Sequence, residues 1–288
     1  MSQFRQFQYD VAVAYRIYPK PSSSPPSVYA KDKYKLAELC FKSFKAAIGD
    51  LKVKLHVILN SCPPEFEELF TQNWPAEDLV LHRYQGVLPG TTLHEQGRIL
   101  MEQTDAEICY FSEDDYFYLP GQFEVLVDFM RKNPDADFVG PYEHPLIHET
   151  DLHRMPWERR SFGGKTWISV LSTTHTFLAR RQVLVDNRWL FLTFNDNTNP
   201  DLGMWMALTK KRVFNVFKFF QWLPANKFWA GSIGLAWYYF WRQILFGRRY
   251  KLWLPQPSAA THMVATLEAP GVDWRSEFQK RIEGVKPL

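Results

Sequence analysis

Ala106–Tyr116 reads AEICYFSEDDY, an apolar run that stops abruptly at three consecutive carboxylates. The apolar part, Ala106–Phe111, predicts a short strand buried on both faces, as strands of parallel sheets are. Amphipathic helices are expected on either side, over Thr92–Gln103 and Gly121–Asn133, the latter aligning Phe123, Leu126, Val127 and Met130. Further upstream the alternation repeats. Strands are expected at Asp10–Ile17, Lys52–Asn60 and Leu79–Tyr84, with a helix over Ala30–Ile48 and a short acidic one opened by Pro63 and Pro64. The Pro/Ser loop Pro19–Ser27 is too rich in proline to be regular.

This β-α-β-α-β-α-β order predicts an α/β fold with a mostly parallel, mixed sheet flanked by helices. After Gly140 the pattern loosens. Lys165–Leu171 and Thr174–Ala179 read as an antiparallel pair, and Asp201–Lys211 as a helix.

Composition excludes several classes. The 288 residues are 46% apolar and 23% charged, enough for a full hydrophobic core and incompatible with disorder. Three widely spaced cysteines, Cys40, Cys62 and Cys109, fit a reducing compartment and suggest neither a disulfide framework nor a metal site. Met1–Asp10 is polar and has no export core, so a cytoplasmic location is expected.

Charge is unevenly distributed. From Leu202 to Leu267 there are nine cations and no acid, so with an overall +3 the remainder stands at −6. The same stretch is crowded with aromatics, and Phe228–Trp241 is an uncharged run of 14 residues. Crossing a bilayer takes roughly 20 apolar residues. The tract therefore suits a helix lying in the headgroup region of an anionic membrane, with Lys227, Arg242, Arg248 and Arg249 at its edges. The competing reading is a buried helix or an oligomer contact. Nucleic acid is not the expected partner.

Ligands of open α/β sheets bind beyond the carboxyl ends of the strands, which is where Glu113, Asp114 and Asp115 arrive. Three adjacent carboxylates repel one another, and a divalent cation removes that repulsion. A solvated acidic turn before a helix is the alternative.

Ser112-Glu113-Asp114-Asp115-Tyr116, followed by Pro120-Gly121 and a helix, resembles the acidic DXD segment of GT-A glycosyltransferases, especially family 2-like enzymes. The strand Val11–Tyr15, the strand ending Asn60-Ser61, and THTFLARR at Thr174–Arg181 stand in corresponding order. The likeness covers roughly Tyr9 to Met263, and departs in having Glu113 at the first acidic position.

The resemblance implies a Rossmann-like, nucleotide-sugar-binding core over 1–200. A membrane-surface, acceptor-side helical segment over 201–288 would complete the same domain. It implies Mn²⁺ or Mg²⁺ on Asp115 and His262, with Glu113 and Asp114 on the donor ribose or metal waters. It places the base at Asp201, in NPDLG, with Asp196 as alternative; a base there implies inversion. Tyr15, Arg16, Asn60 and Arg98 are candidate donor contacts. His175, Trp167 and Trp205 are candidate sugar-pocket residues, core packing being the other role open to the tryptophans.

The implied activity is transfer of a hexose from a nucleotide-diphosphate donor to a glycan or lipid-linked acceptor, in bacterial surface polysaccharide or glycolipid synthesis at the inner face of the membrane. Two alternatives stand beside it. One is a sugar-nucleotide nucleotidyltransferase, which needs a glycine-rich loop after the first strand where this chain has Tyr18-Pro19-Lys20-Pro21-Ser22. The other is a non-catalytic membrane- or glycan-binding module.

Overall fold

In the computed structural model, residues 7–20, 24–193 and 201–283 are described. The first half alternates as its sequence predicts: β1 (Val11–Ile17), α1 (Lys33–Ala47), β2 (Val53–Asn60), α2 (Pro64–Thr71), β3 (Leu79–Tyr84), α3 (Pro89–Glu102), β4 (Ile108–Glu113), β5 (Tyr116–Tyr118) and α4 (Gln122–Lys132). Then come β6 (Phe138–Val139), α5 (Leu146–Glu149), β7 (Arg159–Phe162), β8 (Lys165–Val170), β9 (Phe177–Arg180), α6 (Arg181–Asp186) and α7 (Arg188–Phe191). The chain closes with α8 (Asp201–Thr209), α9 (Val216–Ala225), α10 (Lys227–Phe246), β10 (Leu252–Gln256), β11 (Ala260–His262) and α11 (Trp274–Glu283).

Nine strands form one sheet in the order β3-β2-β1-β4-β9-β6-β10-β8-β7. Only β9 and β8 oppose the common direction, so the sheet is mixed and mostly parallel. Strand alternation splits the core into two layers. Val11, Val13 and Tyr15 of β1 face α1 and α4, whereas Ala12 and Ala14 face the layer containing α3 and α8.

The hairpin expected between Lys165–Leu171 and Thr174–Ala179 does not form. β8 pairs with β7 and β10, while β9 inserts between β4 and β6. The reason is burial: Phe177 stacks on Phe111 across the β4–β9 pair, with ring centroids 4.5 Å apart. β4 also runs on through Glu113, two residues beyond the expected end of the apolar run.

Candidate active site

Chain order reverses at β1, which has β2 and β3 on one side and β4 on the other. The crevice beyond the carboxyl ends of β1 and β4 is therefore the topological switch point, where such sheets hold ligands. Parallel register sets Arg16 opposite Glu113. The Arg16 guanidinium pairs with Glu113 and also donates to the Pro89 carbonyl at 3.2 Å and the Thr92 hydroxyl at 3.4 Å. Thr176 donates to the other Glu113 oxygen at 3.3 Å.

Asp114 turns the opposite way. Its carboxylate meets Lys33 Nζ at 2.8 Å and accepts from the Tyr18 amide at 3.2 Å. The Lys33 side chain is only 8% exposed, so this is an inward-facing pair. Burial raises the Asp114 carboxyl against the pull of Lys33.

Asp115 is reached by a separate two-stranded element. β11 pairs antiparallel with β5, setting His262 opposite Tyr116, and the Met263 amide donates to the Asp115 carbonyl at 2.8 Å. His262 Nε2 then lies 3.2 Å from Asp115 Oδ2. Burial opposes ionisation of Asp115, but the His262 hydrogen bond and charge, with Lys33 and Arg16, hold its carboxyl below the usual range. The His262 imidazole is correspondingly raised, against burial, by Asp115.

The three acids therefore differ. Glu113 and Asp114 are each committed to a basic side chain, whereas Asp115 keeps a buried Oδ1 without a partner. A separation of 3.2 Å between Asp115 Oδ2 and His262 Nε2 is close to the edge of an octahedron with bonds of about 2.1 Å. Among the described residues no group of three or more potential ligands could hold a metal. These two residues fit a cation that takes its remaining ligands from substrate phosphates and water, which is how Mg²⁺ is commonly held.

Because β9 runs antiparallel to β4, its start reaches the same edge. His175 Nδ1 lies 3.4 Å from Arg16 Nη2, and His175 Nε2 lies 3.5 Å from Asp201 Oδ2 at the start of α8. Asp201, His175, Arg16 and Glu113 thus form one chain of contacts. Asp196 lies outside the described residues.

Several sequence candidates belong elsewhere. Tyr15 is 1% exposed and packs among Phe41, Phe44 and Phe70, so it does not stack on a base. It points to the α1 side because strand alternation puts it in phase with Val11 and Val13. Trp167 lies flat on Phe129 at 3.7 Å, and Trp205 meets Phe138 and Phe177 edge-on; both are core residues, not pocket walls. Asn60 spends its amide on both backbone groups of Val87, and Arg98 is held on its own helix by Glu95 and Glu102. Arg248 pairs with Asp137, and Arg249 donates to the Thr209 carbonyl at 3.1 Å. The residue missed by sequence reasoning is Lys33, which opens α1 among other lysines and carries no mark of its inward turn.

No protein-family model matches the chain, and no curated protein matches it in sequence. Solved structures do. The chain is similar to GT-A nucleotide-sugar glycosyltransferases. One is the mannosyltransferase PcManGT from Pyrobaculum calidifontis in complex with GDP-Man and Mn²⁺, at 14% identity and a TM-score of 0.43, covering 71% of this chain and 53% of that one. Another is S. aureus TarS 1-349 in complex with UDP, at 13% identity and TM-score 0.44, covering 68% and 54%. The galactosyltransferase LgtC, in complex with donor and acceptor sugar analogues, aligns over 96% of this chain and 97% of its own, at 8% identity and TM-score 0.46. This chain spans about half the length of the first two.

Proposed function

We propose that the chain is a divalent-metal-dependent glycosyltransferase that moves a sugar from a nucleotide-diphosphate donor to a hydroxyl of a glycan or lipid-linked acceptor. The observation that carries this reading is the meeting of Asp115 with His262 just past the end of β4, the strand whose last residue, Glu113, is linked through Arg16 and His175 to Asp201. Residues 1–200 would bind the donor, and 201–288 would supply the acceptor side at the inner surface of a membrane.

Asp115 and His262 would hold Mn²⁺ or Mg²⁺, and the cation would neutralise the charge that grows on the departing diphosphate. Arg16 and Lys33 would hold Glu113 and Asp114 in place, leaving Asp115 to the donor side. Asp201, which lies next to His175, would take the proton of the acceptor hydroxyl. A base on the acceptor side, acting in a single displacement, gives inversion at the sugar carbon.

The test is hydrolysis of a panel of sugar nucleotides by the purified chain, with Mn²⁺ and with chelator. Turnover that stops on chelation supports the assignment. Absence of both turnover and nucleotide binding across the panel would remove it in favour of a non-catalytic module.

A further inference from the structure

α10 is apolar on both of its sides. Ala230, Ile233, Ala236, Phe240 and Ile244 are buried, and the helix packs on α8 at Gly203, where a Cβ would meet the Ser232 carbonyl at 3.4 Å and the Ala236 amide at 3.5 Å. On the far side Phe228, Gly231, Gly234, Tyr238, Trp241 and Leu245 are all exposed. Phe228, Gly231, Gly234 and Tyr238 recur three or four residues apart and so form one stripe, and Trp241 and Leu245 follow it past a kink at Phe240. α9 packs beside this helix through Trp222 and Trp229, and exposes Phe217, Phe220 and Leu223. Exposure is high: 77% at Phe217, 76% at Tyr238 and 79% at Phe246. Scattered apolar residues on a surface need no explanation, but a continuous face of this kind marks an interaction site.

Charge identifies the occupant. Lys227 and Arg242 are exposed and flank the uncharged run Phe228–Trp241, and no acid occurs between Leu202 and Leu267. A second copy docked about a two-fold axis would set two segments without acids of their own against each other and bring Lys227 and Arg242 together with their copies. Nucleic acid asks for cations spaced along a track, whereas Phe228–Trp241 has none. A bilayer rich in anionic lipid offers both hydrocarbon for the aromatic stripe and phosphate for its ends. No helix among the described residues is long and apolar enough to cross a membrane.

We propose that the outer face of α9 and α10 is a docking surface for an anionic lipid bilayer, lying in the headgroup region with Phe217, Phe220, Phe228, Tyr238 and Trp241 inserted and Lys227 and Arg242 on the phosphates. The cations that matter are not Arg248, which is bound to Asp137, nor Arg249, which is tied to the Thr209 carbonyl. Docking is physically independent of catalysis, but its consequence rests on the transferase reading. The docked helix touches α8 two residues from Asp201, so a lipid-borne acceptor would reach the base without leaving the surface.

The experiment is flotation of the full chain with vesicles of phosphatidylcholine alone and of phosphatidylcholine mixed with phosphatidylglycerol. Flotation with the mixed vesicles, weakened by salt, is expected. Lys227→Glu with Arg242→Glu should lower partitioning at least tenfold, since each cation near an anionic surface contributes about fivefold. Phe217→Ser with Phe220→Ser should lower it for any vesicle, and Arg248→Ser should leave it nearly unchanged. Thermal melts and Mn²⁺-dependent binding of UDP or GDP establish that each variant is folded. No flotation of the unmodified chain, or flotation indifferent to the charge and phenylalanine variants, overturns the proposal. So does a dimer in sedimentation that the phenylalanine variants dissociate. If the unmodified chain floats but binds no nucleotide, the docking surface stands and the transferase reading falls.

Discussion

His262 Nε2 lies 3.2 Å from Asp115 Oδ2 although 147 residues separate them in the chain. The pairing of β11 with β5 makes that contact, and it does so beside the two acids already bound to Arg16 and Lys33. Asp115 keeps a buried Oδ1 without a hydrogen-bond partner.

Asp115→Asn should abolish the Mn²⁺-dependent part of nucleotide-diphosphate binding, and His262→Ala should weaken it at least tenfold. Calorimetry with and without Mn²⁺ measures both. Affinities equal to those of the unmodified chain would mean that the cation binds elsewhere.

Asp201→Asn should leave donor affinity within about twofold while transfer to the acceptor falls by about 10²–10⁴, the usual contribution of a positioned base. Single-turnover assays separate the two. Normal transfer would move the base away from α8.

Lys33→Met should destabilise the fold by about 3–5 kcal/mol, because it leaves the Asp114 carboxylate buried without its partner. Lys33→Met combined with Asp114→Asn should recover much of that loss. Urea melts of the three variants decide the point; equal destabilisation in the single and double variants would show that the pair is not what matters.

Acid should weaken the fold before it reaches the carboxylates. His56 on β2 lies 3.3 Å from His82 on β3, and burial, with the neighbouring His82 and Lys54, lowers its pKa to about 4. The unfolded chain takes up that proton near pH 6.5. Stability is therefore complete above about pH 6.5 and falls as pH drops towards 4, by a few kcal/mol at most. His56→Asn should flatten this slope in melts recorded across the interval. An unchanged slope would assign the loss to other groups, such as His153, which is also lowered to about 4 by burial.

Much of the fold was legible because its strands are short and apolar and its helices amphipathic. Leu79–Tyr84 has the same limits in sequence and structure. The pattern failed where partners had to be chosen. Lys165–Val170 and Phe177–Arg180 are both apolar enough to be strands, yet periodicity cannot say which strand pairs with which. The stack of Phe177 on Phe111 makes that choice, and it exists only once the sheet has formed.

The sites divide in the same way. Asp115, His262 and Asp201 were singled out by residue type and local context, and the structure sets His262 against Asp115 and His175 against Asp201. Tyr15, Trp167 and Trp205 have the right chemistry for a ligand and the wrong direction, because alternation along a strand or rotation around a helix turns each into the core. By itself the amino-acid order determined the alternation of elements, the arrival of three acids at a strand end, and the absence of acid from Leu202 to Leu267. Tertiary structure alone decided that Asp115 keeps a buried oxygen without a partner, which cations are neutralised internally, and which aromatic face meets solvent. The physical reason is that pairing and burial are relations between distant residues, and no local pattern encodes them.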